Sequence, residues 1–314
     1  MSIHRVGIIG LGTVGARFVD QFSQHPSFEV VAGWDQSDAA CAAFRDRITV
    51  VDDASEVIDA ADLVYIAVPP AAHAKYVRMA VQARTAIFCE KPLGTDIDDS
   101  ARIVELVEGS GLPAAVNFVH GSAPASVEMG RLLAEHDDIE SAHLRLHFPE
   151  WPRAWQAAAT WLGGSAEGGW TREVGSHYLF CARRMLGPLT VMMSHVRRAN
   201  DATAEDLVTA AIDAGDIPLA FTGSSGSAGR EINEFMVRTV SRSYRIVDWY
   251  RLEATDEHGE WATIDLGDGP TPNLTAYRAQ VDQLAALLEG REHHLPTFAE
   301  AFDVQQAVER IAGV

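Results

Sequence analysis

The chain has 314 residues, of which 47% are hydrophobic and 22% charged, a composition typical of a globular protein large enough for two cores. Its formal net charge of -19 argues against general binding to nucleic acid or to anionic membrane surfaces. No run approaches the roughly 18 apolar residues of a membrane span, and the chain enters a strand without a leader segment. Three widely spaced cysteines favour a reducing cytoplasm and argue against a zinc site.

A glycine-rich turn follows the first predicted strand. Residues 5–9 form a short β-branched run, and the segment ARFVDQF after the turn has helical spacing. Between them lies the GxGxxG fingerprint of a dinucleotide site, formed by Gly10, Leu11, Gly12, Thr13, Val14 and Gly15. The first glycine permits the tight turn, the second lets the backbone approach a pyrophosphate, and the third allows close packing of helix on strand.

Asp35 ends the second predicted strand, twenty residues after Gly15. An acidic side chain at this place typically accepts hydrogen bonds from the adenosine ribose hydroxyls. Its carboxylate would repel a 2′-phosphate, and residues 36–38 supply no Arg or Lys to neutralise one. The sequence therefore favours NAD over NADP, although Ser37 could still bind a phosphate.

Strands and helices alternate up to residue 118. Further strands are predicted at 48–51, 63–68, 85–90 and 114–118, with helices between them. This order predicts a doubly wound parallel sheet, in which ligands bind beyond the carboxyl ends of the strands. Segments 69–70 and 90–92 both follow strands and fall on the same edge as the glycine turn.

Lys91 is an unusual choice for this chain. Of the 25 Lys and Arg residues, only Lys75 and Lys91 are lysine. A lysine can lose its proton when it is desolvated, whereas an arginine effectively cannot. We therefore expect Lys91 to transfer a proton or to donate to a substrate oxygen, with Glu90 orienting its ammonium. The alternative is a surface Glu–Lys pair in a loop.

The segment from Gly168 to Leu186 is predicted to be a helix that begins with glycines. Glu173 and His177 are four residues apart and would share a face, so that the carboxylate sets the imidazole tautomer and raises its pKa. The alternative is an ordinary pair on a helix surface.

An aromatic segment precedes this helix. Four of the seven tryptophans, including Trp170, lie between residues 151 and 170 and would wall a pocket. Arg153 and Arg172 would clamp a substrate carboxylate or phosphate. Equally, the tryptophans could pack this segment against the edge of the domain.

Residues 189–265 contain successive β-rich runs, which predict an antiparallel meander. One face of that sheet would expose an apolar patch unless a second subunit covered it, with candidates Met236, Val247, Trp249 and Tyr250. We therefore expect a homo-dimer or homo-tetramer formed through this sheet. Two final helices are predicted at 274–289 and 298–312. A metal site at His293–His294 is not supported by the neighbouring residues.

Four motifs together resemble one known family. VGIIGLGTVG, AVPPAAHAKYV, CEKPLGTD and GGWTREVGSHY, in this order, are similar to motifs of the Gfo/Idh/MocA (glucose-fructose oxidoreductase / inositol dehydrogenase) family. The resemblance implies a Rossmann domain over residues 1–120. It also implies an α/β domain with a large open, mostly antiparallel sheet over residues 121–314. Members move a hydride between a nicotinamide and a carbon that bears a hydroxyl or carbonyl, often on sugars or polyols.

The resemblance also implies roles for individual residues. Lys91 and His177 would serve as acid/base and substrate-positioning groups, with Glu173 beside the histidine. Besides the glycine turn and Asp35, cofactor contacts are expected from Val68, Pro69, His73, Glu90, Lys91 and Asn117.

The chain departs from the family pattern at three places. Glu173 replaces an Asp, Phe180 replaces another, and the segment 117–120 replaces a more usual Asn-x-Arg. These changes leave room for a more apolar, amino- or carboxylate-bearing substrate. Two alternatives therefore stay open, namely a non-catalytic NAD-binding sensor and an imine or amino-acid reductase.

Overall fold

The computed structural model describes residues 3–157, 159–267 and 271–313, which form two compact units. The first unit contains the residues up to Phe118 together with Tyr277–Phe302, and the second contains Val119–Ala276 and the residues from Asp303 onward. The predicted division into 1–120 and 121–314 differs from this arrangement in the last part of the chain. Local sequence does not specify on which sheet a distant helix packs.

The first unit is built on a five-stranded parallel sheet with the order β2-β1-β3-β4-β5. Its strands are β1 His4–Ile9, β2 Phe28–Trp34, β3 Leu63–Ile66, β4 Ala86–Glu90 and β5 Ala114–Asn117. Its helices are α1 Thr13–Ser23, α2 Asp38–Ala42, α3 Ala54–Ala60, α4 His73–Ala83 and α5 Ile97–Ser110. The doubly wound fold is confirmed, but the predicted strand at 48–51 is reduced to a bridge between Gly33 and Val50.

The strand order of this sheet reverses between β1 and β3. The chain leaves β1 on one side to form β2 and then returns to the other side of β1 to form β3. Ligands of such sheets bind where the strand order reverses, beyond the carboxyl ends of the strands. The core behind this edge is rich in aromatic side chains, with Phe18 4.6 Å from Tyr65 and Tyr65 5.0 Å from Phe88 between ring centroids.

A late segment of the chain completes this core. Val281, Leu284, Ala285 and Leu295 are buried in the same cluster as Phe18 and Tyr65. They belong to the helix α8 Pro272–Leu288 and to the segment before α9 Phe298–Ala312. The first unit is therefore assembled from two segments of the chain that are far apart in sequence.

The second unit is built on an eight-stranded sheet with the order β13-β12-β11-β10-β6-β9-β8-β7. Its strands are β6 Ile139–Phe148, β7 Leu189–Arg198, β8 Glu205–Ala214, β9 Ile217–Ser225, β10 Ile232–Thr239, β11 Ser243–Val247, β12 Arg251–Thr255 and β13 Trp261–Thr263. All neighbouring strands are antiparallel except β6 and β9. Helices α6 Pro124–Leu133 and α7 Ser176–Leu186 belong to the same unit. The predicted large, mostly antiparallel sheet is confirmed.

A tight turn interrupts the predicted run YRIVDWYRLEA. Asp248 and Trp249 have φ angles of +49° and +73°, so the chain reverses there and forms the hairpin β11–β12. The exposed apolar patch predicted for this sheet is wrong, because none of its four candidates is exposed; Met236 and Tyr250 are half-buried. Val247 is buried, and Trp249 contacts His120 within the unit, because the left-handed turn carries the indole off the strand.

The predicted helix from Gly168 to Leu186 begins with a π-helical turn. Thr171–Gly175 is π-helical, and α7 follows it directly. Such turns are rare and occur frequently at functional sites. Among the described residues, no helix combines the length and apolar character needed to cross a membrane.

Candidate functional site

The glycine turn after β1 leaves no room for a side chain at two of its three glycines. Gly10 has φ +100°, and a Cβ there would lie 2.5 Å from the Ala67 carbonyl oxygen at the end of β3. A Cβ on Gly15 would lie 1.9 Å from the Gly10 carbonyl oxygen. A Cβ on Gly12, in contrast, would meet nothing within 4 Å. The turn is therefore tightly packed on one side and open on the side of Gly12.

The N-terminus of α1 faces this open side. The helix begins at Thr13, with Gly12 as its N-cap and no side chain bonded to its first N–H groups. Free N–H groups and the helix dipole favour an anion at such a terminus. The residues present thus fit the phosphates of a dinucleotide.

Asp35 is held firmly at the end of β2. Its Oδ2 accepts a hydrogen bond from the Leu11 N–H at 2.8 Å, and its Oδ1 accepts one from the Ser37 N–H at 2.8 Å. A carboxylate has about four acceptor sites, so each oxygen can still accept from a hydroxyl. The position and half-buried state of this carboxylate fit the predicted role at a ribose.

His73 lies in the interior of the first unit and joins two segments of the sheet edge. Its Nε2 is 2.8 Å from the Val68 carbonyl oxygen, and its Nδ1 is 2.9 Å from the Pro92 carbonyl oxygen. The ring has no exposed surface, and burial lowers the pKa of His73. The prediction that His73 binds the cofactor is therefore corrected to a positioning role. Val68 is half-buried and Pro69 exposed, and both stay predicted cofactor contacts.

A buried hydrogen-bond network fixes Glu90 at the end of β4. The Asn117 amide donates to Glu90 Oε1 at 2.5 Å, and the Tyr65 hydroxyl donates to the same oxygen. Gln280 Nε2 in turn donates to Asn117 Oδ1 at 2.8 Å. Burial and the neighbouring Glu90 raise the pKa of Tyr65 well above its ordinary value, so the phenol keeps its proton.

Lys91 follows this fixed carboxylate directly. Its backbone N–H faces Glu90 Oε2 at 3.3 Å, and its side chain is half-buried. The network thus fixes the backbone position from which the Lys91 side chain extends. Sequence reasoning missed Tyr65 and Gln280, because each lies in a run whose other residues are ordinary core or helix residues.

Arg172 does not clamp a substrate. Its Nε and Nη2 donate to the Glu309 carboxylate at 2.7 and 2.6 Å, and its Nη1 donates to the Ser165 and Gly168 carbonyl oxygens. Both charged side chains are buried. The predicted clamp is corrected to an internal ion pair that ties the π-helical turn to α9.

Trp170 is part of the core rather than the wall of a pocket. It is fully buried, and its Nε1 donates to the Glu205 carbonyl oxygen at 2.7 Å. Gly223 on β9 makes room for the indole, because a Cβ there would lie 2.4 Å from the ring. The alternative reading, in which tryptophans pack the segment onto the domain, holds for this residue.

Arg153 is surrounded by aromatic rings. The distances from its guanidinium carbon to four ring centroids range from 4.8 to 5.7 Å; the rings are those of Phe148, Trp151, Trp155 and Trp249. Its Nε donates to Gln156 Oε1 at 2.9 Å, and its Nη1 lies 3.5 Å from Glu231 Oε1. Burial lowers the pKa of Arg153, although an arginine stays charged at physiological pH. Gln156 also donates to Glu173 at 3.3 Å.

His177 lies beside two other rings of the second unit, those of His120 and Trp249. The Tyr178 ring lies beside the same two rings. We call the four residues His120, His177, Tyr178 and Trp249 the aromatic cluster. The ring centroid of His177 is 5.9 Å from that of His120 and 5.8 Å from that of Trp249. The sequence pattern located His177 correctly on the helix after the glycines, but it did not bring His120, Tyr178 or Trp249 beside it. The only signal was the departure of the segment 117–120, which includes His120, from the Asn-x-Arg of the family pattern.

The comparisons with known proteins agree with this picture of the first unit. Residues 4–118 match a profile described as an oxidoreductase family with an NAD-binding Rossmann fold, GFO_IDH_MocA. The match covers the five-stranded sheet of the first unit. Inositol 2-dehydrogenase of Corynebacterium glutamicum (strain R) is 33% identical over 149 residues, which are 45% of this chain and 44% of that protein. D-xylose 1-dehydrogenase (NADP(+)) 2 of Haloferax volcanii is 27% identical over 133 residues, 41% of each chain. The matched segment thus spans less than half the length of these curated relatives.

Solved structures share the fold of this protein over nearly the whole chain. GenD2 from gentamicin A biosynthesis, in complex with NAD, has a TM-score of 0.81 at 19% identity and covers 100% of this chain and 95% of its own. KijD10, a 3-ketoreductase from Actinomadura kijaniata in complex with NADP and TDP-benzene, has a TM-score of 0.81 at 19% identity, with coverages of 100% and 98%. At these identities the likeness shows the fold alone. Both cofactors occur among the neighbours, so the shared property is an NAD(P)-binding fold.

Proposed function

We propose that this protein is a nicotinamide-dependent dehydrogenase or reductase. It would move a hydride between the cofactor and a small molecule that bears a hydroxyl or carbonyl, either sugar- or polyol-like or carboxylate-bearing. The observation that carries the proposal lies within the first unit. The open glycine turn and the anchored Lys91 follow strands of one sheet, at the edge where ligands of such sheets bind.

NAD is the proposed cofactor, and it supplies the hydride chemistry when bound. The Gly12 side of the turn would hold its pyrophosphate, and Asp35 its adenosine ribose. Because two N–H groups hold the Asp35 carboxylate in place, it cannot swing away from a 2′-phosphate. This fixed negative charge supports NAD over NADP, even though relatives that use NADP exist.

Lys91 is proposed as the acid/base group. Its ammonium would donate a proton to the substrate oxygen during reduction, and the neutral amine would accept one during oxidation. Glu90, Tyr65 and Asn117 hold the lysine's backbone in place. His177 is proposed as a substrate-positioning group, with Glu173 near the same segment.

The competing function is an NAD-binding sensor on the same fold, since fold does not determine function. The experiment measures NADH affinity by fluorescence and turnover by NADH absorbance with polyols, sugar acids and amino or imino acids. Lys91→Arg should keep NADH affinity and lose at least about 100-fold in turnover. Lys75→Arg is the matched control, because Lys75 contacts the Tyr76 ring on α4, and it should change neither quantity.

Two results would contradict this assignment. Full turnover in Lys91→Arg would remove the lysine from proton transfer. Binding of NADH without turnover on any substrate class would favour the sensor.

We also propose assembly into a homo-dimer or homo-tetramer through the eight-stranded sheet. Met192 and Met193 on β7 are 63% and 64% exposed, which supports an interface on this sheet. Sedimentation of the purified protein at micromolar concentration tests it, and a monomer under those conditions would contradict it.

A further inference from the structure

The aromatic cluster contains two buried polar atoms without a protein partner. His120 Nε2 and the Tyr178 hydroxyl are inaccessible to solvent, and neither has a hydrogen-bond partner among the described residues. The two ring centroids are only 5.0 Å apart. Buried polar atoms in folded proteins are nearly always bonded, so two such atoms side by side indicate a missing partner.

A hydrogen-bond chain reaches the Nδ1 side of His120. Burial raises the pKa of Cys181 to about 12, so its thiol stays protonated and donates to Ser126 Oγ at 3.8 Å. The Ser126 hydroxyl lies 2.8 Å from His120 Nδ1 and can donate to it. Burial also lowers the pKa of His120 to about 3, so the ring is neutral. In the tautomer that accepts from Ser126, His120 presents Nε2–H, a neutral donor.

Tyr178 adds a second donor. Burial raises the pKa of Tyr178 well above its ordinary value, so the phenol stays protonated. Both unpartnered atoms can thus donate a hydrogen bond to a ligand oxygen.

Trp249 provides a flat apolar face beside these donors. Its indole is parallel to the His120 ring within 2°, at a centroid distance of 6.1 Å. Asp248 and Trp249 both have positive φ angles, which cost free energy in non-glycine residues and persist mainly at functional sites. The indole is half-buried, so part of it is accessible to a ligand.

Arg153 places a positive charge at the same indole. Its guanidinium lies 5.7 Å from the Trp249 centroid, and its ion pair with Glu231 is loose at 3.5 Å. Glu231 Oε1 also accepts from Asn233 at 2.7 Å, so the carboxylate is shared. A largely desolvated cation with a shared, distant partner gains from a second anion. An anionic ligand of a chain with net charge -19 also needs such a local cation.

We propose that the aromatic cluster and Arg153 form a substrate site for cyclic carboxylates. The ring of the ligand packs on Trp249, its carboxylate pairs with Arg153, and a ring hydroxyl or carbonyl oxygen accepts from His120 and Tyr178. That the ligand is a substrate rests on the proposed oxidoreductase function. The binding site itself stands on the geometry of the second unit alone.

The experiment measures ligand binding to the full chain by tryptophan fluorescence and calorimetry, without cofactor. The probes are matched pairs, namely glucuronate with glucose, galacturonate with galactose, and cyclohexanecarboxylate with cyclohexylmethanol. We expect at least one carboxylate to bind about 10-fold or more tightly than its neutral parent. Arg153→Met should abolish that preference, and Arg153→Lys should restore part of it. Failure of every carboxylate to bind, or an unchanged preference in Arg153→Met, would overturn the proposal.

His120 variants test the hydrogen-bond donors of the site. His120→Leu should weaken binding about 10-fold, whereas His120→Gln, whose amide N–H can replace Nε2–H, should recover part of the loss. His147→Leu is the matched control, because His147 also bonds a serine hydroxyl through Nδ1, at 3.0 Å from Ser224, but lies outside the cluster. Melting temperatures of all variants identify any that fail to fold. Equal binding by His120→Leu and wild type would contradict the role of His120.

The two proposals fail in different ways. Turnover of neutral polyols that is indifferent to Arg153→Met would leave the oxidoreductase intact and remove the carboxylate site. Carboxylate binding that depends on Arg153, together with no turnover of any ligand, would keep the site and remove the enzyme.

Discussion

Glu90 and Asn117 are paired neighbours in the register of β4 and β5, and their side chains are hydrogen bonded at 2.5 Å. Parallel pairing at the carboxyl ends of two strands thus places an acceptor beside a donor, one residue before Lys91. The pair links the pairing of the sheet directly to the position of the proposed acid/base group.

Asn117→Ala should therefore affect both stability and turnover. It leaves Glu90 with one fewer donor in a buried place, and we expect the free energy of unfolding to fall by about 1–3 kcal/mol. Turnover should fall further than NADH affinity, because Glu90 would no longer hold the backbone of Lys91 in one position. Denaturant unfolding and steady-state kinetics measure the two effects. Gln36→Ala, at an exposed amide, is the control, and a loss of NADH affinity alone would contradict the positioning role.

The two glycines of the turn should separate folding from ligand binding. Gly15→Ala forces a Cβ against the Gly10 carbonyl oxygen and should destabilise the protein by about 3 kcal/mol. Gly12→Ala meets no protein atom within 4 Å and should melt close to wild type. It should nevertheless lower NADH affinity about 10-fold, because its methyl group occupies the approach of the pyrophosphate. Unchanged NADH affinity in Gly12→Ala would contradict the phosphate site.

Asp35→Asn tests the choice of cofactor. The amide removes the negative charge that opposes a 2′-phosphate, and the ratio of NADPH to NADH dissociation constants should fall about 10-fold. Asp38→Asn removes a neighbouring charge in the first turn of α2 and serves as the control. Fluorescence titration measures both dissociation constants for each protein. An unchanged ratio in Asp35→Asn would mean that the carboxylate does not select against NADP.

The ion pair between Arg172 and Glu309 should behave as an internal staple. Arg172→Met leaves Glu309 buried without its partner and should lower the free energy of unfolding by about 3–5 kcal/mol. The double change Arg172→Met/Glu309→Leu should recover much of that loss, because no buried charge is then left unpaired. Denaturant unfolding of the single and double variants gives the coupling. If Arg172→Met weakened ligand binding without changing stability, the original clamp hypothesis would return.

His120 should make the protein sensitive to acid. Its pKa is lowered to about 3 by burial, so between about pH 3 and 6.5 the unfolded chain binds a proton that the folded chain does not. Stability from this group is therefore complete above pH 6.5 and is lost as the pH falls, by at most about 1.4 kcal/mol per pH unit. His73, whose pKa burial also lowers, acts in the same direction. His120→Gln should show a shallower loss over this range in denaturant unfolding, and an unchanged slope would contradict the neutral buried ring.

Local patterns predicted much of the first unit. The glycine turn, Asp35 and the alternation of strands and helices each depend on residues that are close in sequence, and all but the predicted strand at 48–51 were found where the pattern placed them. The large sheet of the second unit was predicted from the same kind of local alternation. The partners of individual side chains were not. Gln280 bonds Asn117 across 163 positions, and Glu309 bonds Arg172 across 137.

Two misplaced tryptophans show the same limit. Trp170 was assigned to a pocket wall because it lies in an aromatic segment. The space for its ring is provided by Gly223 on β9, which is 53 residues later in the sequence and could not be paired with it from local pattern. Trp249 was assigned to the outer face of a strand because the run around it is β-rich. The left-handed turn that moves the indole is formed by Asp248 and Trp249, neither of which is a glycine. The sequence therefore contains no signal that a turn interrupts the predicted strand.

The position of residues 277–302 within the first unit has a consequence for biosynthesis. A ribosome releases the five parallel strands early, yet the buried side chains of Val281, Leu284 and Leu295 emerge only after the entire eight-stranded sheet has been made. The first unit, although it begins the chain, thus lacks part of its core until residues 277–302 have been made. A fragment cut at residue 120 would expose apolar surface that the intact chain covers with its own later helix.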